Sequence, residues 1–145
     1  MKALTLTQPW ASAVAKGIKA VETRSWSTPY RGWMAIHAAK GWKIEDREFA
    51  LEEAFRFLEM YPEDYPRGAV VAVAKVTRIE PAGQAKVSDI ERLFGVFETG
   101  RFAWFLDEVY EFAKPVPAVG KQGLWDLPAG VENEMRAQRF GTVSP

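Results

Sequence analysis

A chain of 145 residues with 48% hydrophobic and 26% charged residues has the composition of one folded domain, long enough to bury a core without staples. It has no cysteine and one histidine, which excludes a disulfide framework, a thiol nucleophile and a zinc site built from cysteines or several imidazoles. Lys and Arg number 19 and so do Asp and Glu, so the chain is not a bulk polycation that coats nucleic acid, although a local basic patch is compatible with that balance.

Lys2–Leu6 alternates polar and apolar residues, the period of a half-buried strand. Pro9 suits the first turn of a helix, and Trp10, Ala13, Val14 and Gly17 follow at helical spacing, with Gly17 as the cap. Lys19–Ser25 alternates again, with Ala20, Glu22 and Arg24 on one side and Val21 and Thr23 on the other. Pro29–Gly32 reads as a turn and Trp33–Ala38 as an apolar strand with His37 near its end. Ile44–Met60 predicts one amphipathic helix with Ile44, Leu51, Ala54, Phe55 and Leu58 along its stripe. Gly68–Ile79 predicts a strand buried on both faces. Ser88 followed by Glu91 predicts a capped short helix through Leu93. Arg101–Phe112 reads as a strand, Pro115–Gly123 as a loop, Leu124–Leu127 as a last short strand and Val131–Phe140 as a C-terminal helix. The strands and helices alternate too irregularly for a doubly wound sheet. The expected fold class is α+β: a curved β-sheet or barrel of about five or six strands with flanking helices.

The longest apolar run, Ala69–Ala74, is far short of the ~20 residues a membrane span needs. The first residues lack the apolar stretch of a signal peptide. With no such segment and no cysteine, the expected location is the cytoplasm and no membrane partner is expected. Six Trp, nine Phe and four Tyr are many for this length, and tryptophan carries a polar N–H, so some of them are expected to line a cleft.

Two clusters carry the polar chemistry. In Gly17–Arg24 a helix cap is followed by Lys19, then by Glu22 and Arg24 on one side of a strand. One reading is an anion or nucleobase site, with Lys19 and Arg24 as donors and Glu22 as acceptor. The other is a solvated strand face whose ion pair contributes under ~1 kcal/mol, so that removing Lys19 leaves stability nearly unchanged. In Gly120-Lys121-Gln122-Gly123-Leu124-Trp125 two glycines allow close backbone approach, and Trp125 is a candidate stacking plate. The alternative is a tight turn beside a core tryptophan. His37 reads as a hydrogen-bonded core residue or as a base with an oriented partner. Ser12, Ser25 and Ser27 lack the G-x-S-x-G context of a hydrolase, and neither a P-loop nor a dinucleotide motif is present. No metal site and no cofactor are expected.

Together these segments resemble the ASCH domain, a member of the PUA-like superfamily. The resemblance rests on Gln8-Pro9-Trp10-Ala11, Gly17-x-Lys19-x-x-Glu22-Thr23-Arg24, Tyr30-Arg31-Gly32 and Ile36-His37-Ala38-Ala39-Lys40. Gly68 before a Val-rich strand, Phe102-Ala103-Trp104 and Lys121-Gln122-Gly123-Leu124-Trp125 extend it over residues 2–127. It implies a PUA-like domain over residues 1–128, with residues 129–145 as a helical extension; removal of residues 130–145 should leave the fold intact. It also implies a cleft between the barrel and the first helix that binds single-stranded RNA, a nucleotide or a nucleoside. By position, Gln8, Trp10, Lys19, Glu22, Arg24, Arg31, His37, Lys121, Gln122 and Trp125 would line that cleft. Some ASCH relatives are amidohydrolases acting on acylated cytidine through a Lys, a Thr and a Glu, and a weak ribonuclease activity is also associated with the family. If this chain is an enzyme, Lys19 and Glu22 are the residues to carry the reaction. Lys19 matches the family lysine, but Glu22 stands where the threonine belongs, and Thr23 is expected to face the other way.

Overall fold

The computed structural model describes residues 1–138. The strands are β1 (Lys2–Leu6), β2 (Val21–Arg24), β3 (Gly32–Ala38), β4 (Ala69–Pro81), β5 (Phe102–Pro117) and β6 (Leu124–Asp126). The helices are α1 (Trp10–Ala15), α2 (Ile44–Phe49), α3 (Asp89–Arg92) and α4 (Ala129–Ala137), with short 3₁₀ turns between. The strands form one sheet in the order β2-β5-β4-β3-β1-β6, antiparallel throughout except for β1 beside β3.

The sheet curls into a half-barrel because its two longest strands carry bulges. The register of β4 against β5 slips between Val70 and Ala72, between Lys75 and Val76, and between Val76 and Arg78. Each slip raises the local twist and bends the sheet over. The curl brings the β2 edge close to β1, where Arg24 Nη2 donates to the Thr5 carbonyl at 2.7 Å. A side-chain bond thus stands at the seam where a closed barrel would have a ladder. Inside the curl, Leu4, Leu6, Met34, Ile36, Ala72, Trp104 and Leu106 pack against Ala11 and Val14 of α1. On the outer face, Ala3, Trp33, Val70, Val73, Phe112 and Trp125 pack against Met135 of α4. Two buried faces explain why Val70–Ala74 is an apolar run rather than an alternation.

Three expectations need correction. The helix expected over Ile44–Met60 stops at Phe49, and a 3₁₀ turn over Glu53–Leu58 follows. At the break, the Leu51 and Glu52 amides bond to the Glu48 and Phe49 carbonyls, three residues back rather than four. Phe49 and Phe55 would point ~120° apart on one continuous helix. After the break both pack on Trp10, with ring centres 5.5 and 5.8 Å away, while Ile44 and Leu51 are left exposed. The second correction is that β5 runs through Pro115 to Pro117. Its neighbour β2 covers only Phe102–Phe105, so the later prolines sit on an open edge where a missing N–H costs no ladder bond. The third concerns the C-terminal helix, which begins at Ala129 and lies on the outer core; Arg139 and Phe140 lie outside the described residues.

Candidate functional site

The curl leaves a cavity of about 470 Å³ at the seam between β1, β2 and α1. Its wall holds Thr5 and Thr7 of the first segment, Trp10 of α1, and Glu22, Thr23 and Arg24 of β2. Phe49 and Asp46 of α2, the turn Leu93–Val96, and Arg101 complete it. The Glu22 carboxylate receives Arg24 Nε at 3.0 Å on one oxygen and the Thr23 amide at 3.2 Å on the other. Arg24 is thereby held in one plane by Glu22 and by the Thr5 carbonyl. Arg101 Nη2 donates to the Thr23 carbonyl at 3.1 Å, while Arg101 Nε is buried with no partner among the described residues. Thr23, expected to face away, also borders the cavity, and its hydroxyl accepts the Val96 amide at 3.0 Å.

Lys19 stands behind this wall rather than in it. It is fully buried. Its ammonium donates to the Val21 carbonyl, to the Phe94 carbonyl at 3.0 Å and toward Glu22 Oε1 at 3.3 Å. An ammonium has three protons, and all three are used inside the protein. Lys19 therefore ties β2 to the Leu93–Val96 turn and backs Glu22 from within.

A second cavity, of about 800 Å³, opens on the outer face beyond the ends of β1 and β3. Thr5, His37, Ala39, Lys40, Arg67 and the segment 117–122 line it. Here a chain of hydrogen bonds fixes the histidine. Trp125 Nε1 donates to Thr5 Oγ1 at 3.0 Å, the Thr5 hydroxyl lies 3.1 Å from His37 Nδ1, and His37 Nε2 donates to the Ala118 carbonyl at 2.8 Å. A carbonyl can only accept, so Nε2 carries the proton and Nδ1 accepts from Thr5. Both nitrogens are engaged, and His37 holds the loop after β5 rather than serving as a free base.

Burial pushes the His37 pKa below the usual histidine value, against a smaller opposing effect of the bond to Ala118. Unfolded, the side chain titrates near 6.5. Below that pH the unfolded chain binds a proton that the folded one refuses, so this histidine makes stability fall with acidification, by up to ~1.4 kcal/mol per pH unit. The slope ends where folded His37 itself protonates, and above about pH 7 the residue contributes none. Urea unfolding between pH 5 and 8 should show this slope in the parent chain and lose it in His37→Gln.

The residues expected to share one cleft are therefore divided. Trp10, Glu22 and Arg24 meet at the seam, whereas His37, Lys121 and Gln122 meet at the outer cavity on the other side of β1. Trp125 is buried with its ring edge-on to His37, so it is no stacking plate. Gln8 is also fully buried: its amide oxygen accepts the Ser12 amide at 3.0 Å and its nitrogen donates to Ser12 Oγ and the Pro66 carbonyl, capping α1. Arg31 is exposed in the β2–β3 turn, donating to the Thr28 and Tyr30 carbonyls. Sequence reasoning passed over Arg101, Asp46 and Arg67. Arg101 immediately precedes β5, where that strand meets β2, which only the strand pairing reveals.

A curled six-stranded sheet, plugged by one helix and open at a seam, defines an α+β, PUA-like domain. The sequence matches the family model described as the ASCH domain over residues 4–116, and the chain belongs to that family. Activating signal cointegrator 1 of Homo sapiens is 32% identical over 130 residues, which is 86% of this chain and 22% of that protein. The Mus musculus protein of the same name is 31% identical over 129 residues. The chain thus spans 22% of the length of these curated relatives. The crystal structure of ASCH from Zymomonas mobilis matches with a TM-score of 0.57 at 15% identity, covering 94% of this chain and 93% of that one. A mutant of that protein matches with a TM-score of 0.56 at 16% identity over 94% of both chains. At these identities the likeness is one of fold.

Proposed function

We propose that the chain is a binding module for single-stranded RNA or a nucleotide, and that one base enters the seam cavity. The observation that carries this reading is Arg101 Nε, a buried donor without a partner among the described residues, at the wall of an open cavity. Such a donor is costly to leave unpaired, and a ligand acceptor would satisfy it. Around it stand the other parts that base recognition uses. Trp10 and Phe49 offer ring faces for stacking, Arg24 is pre-oriented by two bonds, and Glu22 offers acceptor oxygens. The RNA-binding cleft that the resemblance to ASCH domains implies agrees with this reading.

Binding is favoured over turnover. The side chain that would act as the base of a hydrolase, Lys19, has its protons committed inside the fold. Trp10→Ala is expected to weaken binding of short RNA by ~1–3 kcal/mol, the range for one stacked base. Titrations with nucleosides and short oligonucleotides, followed by calorimetry, measure it. With two arginines at the wall the slope of log K against log salt should be shallow, about −1 to −2. Unchanged affinity in both Trp10→Ala and Arg101→Ala would remove the base from this cavity.

A further inference from the structure

We infer that the outer cavity is a separate binding site for a phosphate group carried by a ligand of nucleotide size. Lys40, Arg67 and Lys121 stand in its wall, and among the described residues no Asp or Glu does. The seam, by contrast, holds Glu22 and Asp46. None of the three cations pairs with a carboxylate among the described residues. In a chain whose formal charges cancel, three uncompensated cations around one concavity leave a local positive potential that draws an anion.

The donors are also prepared. Arg67 is held by its Nη1 on the Lys40 carbonyl at 2.6 Å and by its guanidinium 5.7 Å from the Trp42 ring centre. The loop beyond β5 is fixed at its root, where the Ala118 carbonyl accepts His37 Nε2 and the Ala118 amide reaches the Gly68 carbonyl at 3.1 Å. Past that root, the amides of Val119, Gly120, Lys121 and Gln122 make no hydrogen bond within the described residues. Gly120 lies so close to the histidine that a Cβ there would sit 2.6 Å from His37 Cε1, so the loop can follow this path only with glycine. Three cations and a set of unused amides match the several oxygens of a phosphate better than the two of a carboxylate. A volume of about 800 Å³ is far more than a bare ion fills, and Ala39, Pro117 and Val119 give the remainder an apolar wall. A free nucleotide and the terminal phosphate of an oligonucleotide present the same group.

The test is a titration of the full chain, followed by amide chemical shifts and calorimetry. The probes are inorganic phosphate, adenosine, adenosine 5′-monophosphate, and one short RNA with either a 5′-phosphate or a 5′-hydroxyl. Shifts are expected in residues 118–122, with the monophosphate at least tenfold tighter than adenosine. Lys40→Gln and Lys121→Gln change exposed side chains, so the fold should hold, and each should weaken the monophosphate about tenfold. If only the phosphorylated RNA gains, the phosphate comes from a strand end; if the mononucleotide gains, a free nucleotide suffices. Trp10→Ala should leave these shifts unchanged, so failure at the seam is read separately. Equal affinity for adenosine and its monophosphate together with equal affinity for the 5′-phosphorylated and 5′-hydroxyl RNAs, or full affinity in the Lys40→Gln/Lys121→Gln double variant, overturns the assignment.

Discussion

Lys19→Ala is expected to lower folding stability by about 3–5 kcal/mol, the usual cost of removing one partner of a buried charge pair. The substitution orphans the Val21 and Phe94 carbonyls, strips Glu22 of its inner partner, and leaves a void where a fully buried chain stood. None of these losses can be made good by water at a site with no exposure. Lys19→Met restores most of the volume but none of the bonds, so its loss should fall between alanine and the parent. Denaturant unfolding of the three proteins checks this. A loss under ~1 kcal/mol for Lys19→Ala, the value for an exposed pair, would mean that the ammonium reaches solvent. Because Glu22 and the Leu93–Val96 turn form the seam wall, ligand affinity should fall together with stability.

Deleting residues 129–145 is expected to destabilise the domain by more than ~2–5 kcal/mol, the cost of truncating one buried methionine alone. Met135 is fully buried in the outer core with Trp33, Phe112 and Trp125. Gln138 also exchanges two hydrogen bonds with the Lys114 backbone, at 2.7 and 3.1 Å, and its carbonyl accepts the Tyr110 hydroxyl at 3.2 Å. Removing α4 therefore exposes an apolar face of the sheet and frees one edge of β5. The midpoint and slope of urea unfolding for the truncated chain measure the effect. Met135→Ala isolates the packing share, and a truncated chain as stable as the parent would show that α4 is only an appendage.

The fold was legible where the sequence has a single job. The alternation in Lys2–Leu6, the apolar run in β4 and the Ser88–Glu91 cap each predict the element observed. Short strands with interspersed helices pointed to a curved sheet or barrel, and the family resemblance specified it as PUA-like, but no local period states where the sheet curls. The break after Phe49 was hidden because Trp10, far away in sequence, decides which phenylalanines face inward. The candidate site was half legible. Glu22 and Arg24 do share a side of β2, as their spacing requires. What spacing could not show was the depth of Lys19, which depends on a turn more than 70 residues away: its Phe94 carbonyl partner lies 75 positions on. Nor could it show that Thr5 stands between two cavities, which split one expected cleft into two.

The bond from Trp125 to Thr5 spans 120 residues of sequence, and β1 pairs with β6 over the same span. Closing a loop of that length carries an entropic cost that local contacts do not, and topologies rich in such pairings fold in milliseconds to seconds. The outer cavity is therefore expected to be completed late in folding, when β6 docks on β1. Hydrogen exchange should find the amides of β6 less protected than those of β4, whose neighbours on both sides are long strands. A ligand held by the 117–122 loop would brace the segment that leads into β6, and is expected to slow its undocking and lengthen the lifetime of the native state.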